Sequence, residues 1–196
     1  MIFAHMVHCL THDQCDEMIA AAETLNFERA TVLTEDSSAE DDIRNNTSTV
    51  LPPGLDKLAH AAINQAVLRW GEVIANDYPD IAASSQLPGI TPGLETYKET
   101  ISLLRYDETQ RYEWHVDQSV YNAGPEWVES GSRLISAVVY LNDDFEGGET
   151  QMPEKIWKPQ KGKALIFPSH WTFPHQARPV TKGTKYALVT WFHPQR

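Results

Sequence analysis

The sequence predicts an α+β domain in which helices from the amino-terminal half buttress one face of a sandwich or jelly roll. Three observations predict it. Apolar residues recur at helical spacing up to about residue 76. After residue 95 the period changes to two, and Gly, Pro and Asn turns separate the strand-like runs. Helices first and strands afterwards is the order of an α+β domain.

Each element follows from local chemistry. Thr11 and Gln14 form a capping-box signature, and Cys15, Met18, Ile19, Ala22 and Leu25 follow at helical spacing, which predicts a helix near 12–25. After Pro52-Pro53-Gly54, the residues Leu55, Ala59, Ala62, Ala66, Trp70, Val73 and Ile74 share one face, predicting a helix to about Asn76. Pro88-Gly89 and Pro92-Gly93 mark a turn-rich crossing. Thr100 to Tyr106, Arg111 to Asp117, Leu134 to Leu141, Lys163 to Phe167 and Lys185 to His193 read as strands. The expected organisation is one domain over 1–196, with a helical part at about 1–95 and a β core at about 96–196.

Composition narrows the function classes. The chain is 41% hydrophobic and 22% charged, an ordinary globular balance. A net charge of −11 argues against nucleic acid as the main partner. No run approaches the roughly 20 apolar residues of a spanning helix, so no membrane association is expected. The opening MIFAHMVHCL has no signal-peptide pattern, and two cysteines make no disulfide framework, which together suggest a cytoplasmic setting. Glu35, Asp36, Glu40, Asp41 and Asp42 read as a solvated acidic loop, while residues 153–196 carry eight Lys and Arg against one acid.

The chemistry lies on the strands. His115 and Asp117 are two residues apart, so in a strand both project to one face. His175 lies downstream, ahead of a turn. Two histidines and a carboxylate on one side of a metal leave open positions, the arrangement of non-haem Fe(II) oxygenases. Pro179-Val180-Thr181-Lys182-Gly183 reads as a hairpin connection. Centred on Val180, that hairpin sets His175 opposite Lys185, whose ammonium could reach the far carboxylate of a metal-chelating dicarboxylate. Strand parity turns Tyr112 away from His115 and into the core.

The ordered set of motifs resembles the prolyl 4-hydroxylase-like family of Fe(II)- and 2-oxoglutarate-dependent dioxygenases. It comprises Leu104-Arg105-Tyr106, Tyr112 to Asp117, Arg133 to Asn142, Gly147-Gly148-Glu149-Thr150, Lys161 to Ser169, His175, Lys185 and Trp191-Phe192-His193. The resemblance implies a double-stranded β-helix, a cupin-like jelly roll, with amino-terminal helices against one sheet. It implies His115, Asp117 and His175 as iron ligands and Lys185 as the partner of the distal 2-oxoglutarate carboxylate. It further implies Tyr106, Tyr140 and His193 near the co-substrate, and Arg133 and Trp191 at the substrate mouth. The implied reaction uses O2 and 2-oxoglutarate to hydroxylate a C–H bond, a prolyl residue of a peptide or protein being the first expectation, with succinate and CO2 as co-products. Ascorbate (vitamin C) is implied as a reductant. Asp107-Glu108-Thr109 departs from the family, which often places glycine after the first tyrosine. Ser119 to Gly131 is expected to cover the active site.

Other readings carry less. Hydroxylation of another residue or a free amino acid stays open. A zinc hydrolase needs no lysine facing the site, a non-catalytic jelly-roll binding protein needs no complete ligand set, and a halogenase lacks the carboxylate that Asp117 supplies. His8, Cys9, His12 and Cys15 suggest zinc, but Cys15 belongs to the apolar stripe of the first helix.

Overall fold

The computed structural model describes residues 3–30, 43–84, 96–118 and 133–194. The acidic run at Glu35–Asp42, the breakers near Pro88 and Pro92, and Ser119 to Gly131 lie outside the described residues. The first half contains β1 (His5–His8), α1 (His12–Ala22), β2 (Glu28–Arg29), β3 (Thr47–Val50), α2 (Pro53–Asp77) and α3 (Pro79–Ser84). The second contains β4 (Thr96–Lys98), β5 (Ser102–Tyr106), β6 (Tyr112–His115), β7 (Ile135–Tyr140) and β8 (Glu146–Gly147). It continues through β9 (Thr150–Met152), β10 (Lys155–Trp157), β11 (Lys163–Pro168), β12 (His175–Ala177), β13 (Val180–Lys182) and β14 (Lys185–Pro194).

Both predicted helices form. Thr11 Oγ1 accepts from the Gln14 amide at 3.2 Å, and Gln14 Oε1 accepts from the Thr11 amide at 2.9 Å, so the capping box closes α1. Pro53 opens α2 at a position where its missing N–H costs nothing. Ala59, Ile63, Ala66, Val67, Trp70 and Ile74 then bury one face of α2 against the major sheet. Each fully buried Ile contributes about 1.5–3 kcal/mol.

The major sheet runs β1-β11-β7-β14-β5-β3-β2, with β4 beside β14, and is antiparallel at every pairing. Three of its strands, β1, β2 and β3, come from the part expected to be helical. They are short segments toward the sheet's edges, and Thr47–Val50 is mostly polar, so neither length nor alternation announces them. Alternation divides the sheet's two faces. Leu103, Ile135, Ala137, Val139, Tyr186 and Leu188 pack toward the helices. Leu104, Tyr106, Tyr140, Leu165, Phe167 and Val189 face the other way. There they meet Met152, Trp157, Val180 and Ala177 from the second layer, which includes the four-stranded sheet β10-β9-β12-β6. A sheet buried on both faces explains the near-continuous apolar runs of β7, β11 and β14.

The hairpin expected across Val180 does not form. β12 pairs with β6 and β9 of the minor sheet, β13 pairs with β8, and β14 crosses into the major sheet against β5 and β7. Lys185 is therefore opposite Tyr106, and His175 is opposite His115. The Pro179–Gly183 segment is a connection between two sheets. A two-ended turn signal cannot distinguish that from a hairpin, because both need the same Pro and Gly chemistry.

Candidate metal and co-substrate site

β6 and β12 carry the two histidines into register, with their ring centroids 4.2 Å apart. Asp117 follows β6. The metal-binding atoms of His115, Asp117 and His175 all lie within 4.8 Å of one another, the one such group among the described residues. His115 Nδ1 contacts the Glu113 carbonyl at 2.7 Å and His175 Nδ1 contacts the Phe173 carbonyl at 3.2 Å. A carbonyl only accepts, so both Nδ1 atoms carry a proton, and a neutral ring then presents its Nε2 lone pair. Those lone pairs face the Asp117 carboxylate at 3.5 and 3.6 Å.

Burial pushes the His175 pKa down to about 4, which keeps the ring neutral. Burial acts to raise Asp117, but the neighbouring His175 and His115 and the Ser136 hydroxyl outweigh it and hold the carboxyl below its usual range. The two Nε2 atoms and the carboxylate converge on one locus. That donor set fits a cation, and two imidazoles with one carboxylate suit a divalent first-row metal such as Fe(II).

Lys185 enters the same cleft, which is otherwise walled by residues such as Leu104, Val138, Ala187 and Val189. It is 2% exposed. Its Nζ donates to the Gly148 carbonyl at 2.7 Å and lies 5.0 and 5.5 Å from the ring centroids of Tyr106 and Tyr140. Burial lowers its pKa to about 8, with Glu149 acting in the opposite direction. Tyr140 is fully buried, and its hydroxyl bonds Thr150 Oγ1 at 2.8 Å. Tyr106 lines the cleft opposite Lys185.

The structure departs from strand parity at Tyr112. Its ring stacks on His115 with centroids 3.5 Å apart and lines the cleft. The cause is an irregularity in pairing: the four residues of β6, from Tyr112 to His115, lie against only three of β12, from Ala177 to His175. That extra residue is a bulge, and it swings Tyr112 back to the face of His115. Arg44 also lines the cleft, with its guanidinium 4.8 Å from the Tyr112 ring centroid. No sequence pattern pointed to it, since it precedes the polar strand β3.

A second cluster joins residues expected in separate roles. Glu99 holds Arg133 through two bonds, of 2.7 and 2.9 Å, and also bonds His193 Nε2. Burial raises the Glu99 pKa, but the Arg133 and His193 bonds outweigh it and hold the acid below its usual range. Arg133 stacks over Trp191 at 3.6 Å and donates to the Asp117 carbonyl at 3.2 Å. His193 is thus eight residues along β14 from Lys185, roughly 26 Å of strand, rather than beside it. Glu99 organises this cluster, yet nothing in its sequence context singles it out.

The amino-terminal cysteines form no such group. Both are free and buried, and burial raises Cys9 to about 12 and Cys15 to about 11, so the thiols keep their protons.

Residues 101–193 match the model of the 2OG-Fe(II) oxygenase superfamily. The chain is 30% identical over 141 residues to "Probable prolyl 4-hydroxylase 9" of Arabidopsis thaliana, covering 59% of this chain and 46% of that protein. The chain spans about half to two thirds of the length of the curated plant relatives it matches. Among solved structures it is similar to the viral collagen prolyl hydroxylase of Paramecium Bursaria Chlorella virus-1 in its 2OG complex. There the TM-score is 0.63 at 21% identity, over 98% of this chain and 97% of that one. It is also similar to a Trichoplax adhaerens prolyl hydroxylase solved with a hypoxia inducible factor peptide fragment. The TM-score is 0.65 at 15% identity, over 99% and 84% of the two chains. These likenesses establish the double-stranded β-helix fold.

Proposed function

We propose that this chain is one Fe(II)- and 2-oxoglutarate-dependent dioxygenase domain over 1–196, hydroxylating a C–H bond, with a prolyl residue in a peptide or protein as its first substrate class. One observation carries the reading: the converging His115–Asp117–His175 cluster and the buried Lys185 ammonium line the same cleft. The plant relative and the two solved neighbours, all called prolyl hydroxylases, support the substrate class.

His115, Asp117 and His175 would hold the iron, each histidine fixed in its tautomer by a backbone carbonyl. When bound, Fe(II) with 2-oxoglutarate and O2 supplies the oxidising chemistry, one oxygen atom entering the C–H bond and the other the succinate formed with CO2. Lys185 would trade its Gly148 partner for the distal carboxylate of 2-oxoglutarate, a charge-assisted bond in a dry pocket. Tyr106 and Tyr140 wall that ammonium and limit its motion. Tyr112 covers one face of His115 and excludes water from it. Arg133 and Trp191, braced by Glu99 and His193, form the wall we assign to the substrate. Ascorbate as reductant and a cytoplasmic setting are part of the same proposal. The free, protonated cysteines fit a reducing compartment, and among the described residues no helix is long and apolar enough to cross a membrane.

The test is succinate release from purified protein given Fe(II), 2-oxoglutarate and O2, with and without proline-containing peptides. Peptide-stimulated succinate and a peptide gain of one oxygen atom are expected. Failure to bind iron, with no turnover, would overturn the reading.

A further inference from the structure

Two aromatic rings flank the metal-site histidines. Phe167 meets His175 edge-on, with centroids 4.8 Å apart, and is fully buried. Tyr112 lies almost flat on His115, with 12° between the ring planes, and it belongs to the cleft wall. A ring laid flat on a ligand imidazole extends alongside any ion held by that imidazole's Nε2. The phenol oxygen feeds electron density into its own ring, so the ortho carbons of Tyr112 are far easier to oxidise than any carbon of Phe167. The other electron-rich rings of the cleft are placed differently. Tyr106 and Tyr140 wall the Lys185 ammonium, and the Tyr140 hydroxyl is bonded to Thr150 Oγ1. Trp191 lies under the Arg133 guanidinium at 3.6 Å, a cation that draws density from the indole, whereas Arg44 stands 4.8 Å from the Tyr112 centroid. A peptide substrate would present its own C–H bond to this cleft. Without one, Tyr112 is the tethered C–H donor beside His115, with the high effective concentration of an intramolecular reactant.

We infer that Tyr112 is a self-modification site of this domain. In turnover without peptide, its ring gains a hydroxyl ortho to the first and becomes a catechol. One atom of O2 enters the ring C–H bond, and the other enters the succinate released with CO2 from 2-oxoglutarate. The ring and the 2-oxo acid each give up two electrons, which matches the four that O2 accepts. The domain thereby marks itself whenever it consumes 2-oxoglutarate with no substrate in place. The inference rests on the Fe(II)/2-oxoglutarate reading above.

Mass spectrometry tests it. Purified protein is incubated with Fe(II), 2-oxoglutarate and isotopically heavy O2, without peptide, then denatured and digested. One heavy oxygen atom is expected on Tyr112, together with catechol staining of the denatured chain. Leaving out 2-oxoglutarate should abolish both signals, and a proline-containing peptide that is itself hydroxylated should suppress them. Tyr112→Phe should lose the stain while a Mn(II) titration still shows a filled metal site. Heavy oxygen on Trp171, which is 75% exposed, or on Trp114 in place of Tyr112 would mark adventitious surface oxidation and overturn the inference. So would succinate release with Tyr112 unchanged. Wild-type protein that releases no succinate, with or without peptide, would overturn the functional reading instead.

Discussion

Lys185 shows what one buried charge costs and what it is for. Its pKa, lowered by burial to about 8, lies below the 10.5 of an unfolded lysine, so between those values the unfolded chain binds more protons. Stability of the ligand-free protein should therefore rise with pH from about 8 to 10.5, by an amount on the order of 3 kcal/mol. Lys185→Met should remove that slope and raise the melting temperature at pH 7 by several degrees, read by thermal melts at pH 7 and 9.5. The same variant should weaken 2-oxoglutarate by about 100-fold or more while retaining iron, because a buried carboxylate loses the ammonium it pairs with. In the wild type, 2-oxoglutarate affinity should fall above pH 8 as the ammonium deprotonates.

Thr109 makes a second prediction at this scale. It adopts φ 72°, a conformation in which a β-branched residue is strained, and its amide bonds the Val180 carbonyl at 2.8 Å. Thr109→Gly should stabilise the fold by about 1 kcal/mol, checked by urea unfolding. Here the departure from the glycine common in relatives was visible in the sequence, but the strain it produces was not.

At the scale of elements, the strands were more legible than their partners. Strand parity suggested His115 and Asp117 on one face, but β6 ends at His115 and Asp117 lies just beyond it, so the pair was legible chiefly through the ordered set of motifs around it. Lys185 and His175 line one cleft although no hairpin joins them; what brings them together is two sheets meeting across the barrel. Tyr112 was misread because a bulge depends on a partner strand 60 residues away. The segment after β8 makes the element-scale prediction. Gly148 sits at φ 65°, and a Cβ there would lie 2.9 Å from Phe145 and 3.2 Å from Lys185 Cδ. Gly148→Ala should destabilise the fold by about 1–3 kcal/mol and weaken 2-oxoglutarate more than iron, measured by calorimetric titration of each.

Over the whole molecule, the central strands could be read because both faces of the major sheet are apolar, whereas β1, β2 and β3 could not. Short segments toward a sheet's edges draw stability from pairing, and pairing leaves no periodic mark in a segment of two to four residues. Metal should stabilise the whole fold, since folding gathers His115, Asp117 and His175 at one point and the unfolded chain does not. Fe(II) or Mn(II) at 100 times its Kd should add about 2.7 kcal/mol, or roughly 5–11 °C in a thermal melt. His115→Ala and His175→Ala should each abolish that increment.

The two histidines also sit where this matters for motion. Among the described residues β6 ends the minor sheet and has β12 as its one full ladder, with the Arg44–Tyr112 bridge and the Asn45–Arg111 hydrogen bonds on its other side. An outermost strand so lightly tethered should fray first, and an ion gripping His115 and His175 together would act as a rivet across that seam. Amide hydrogen exchange in Tyr112–His115 should then slow sharply on metal addition, while the exchange of β7 and β14 stays as it was.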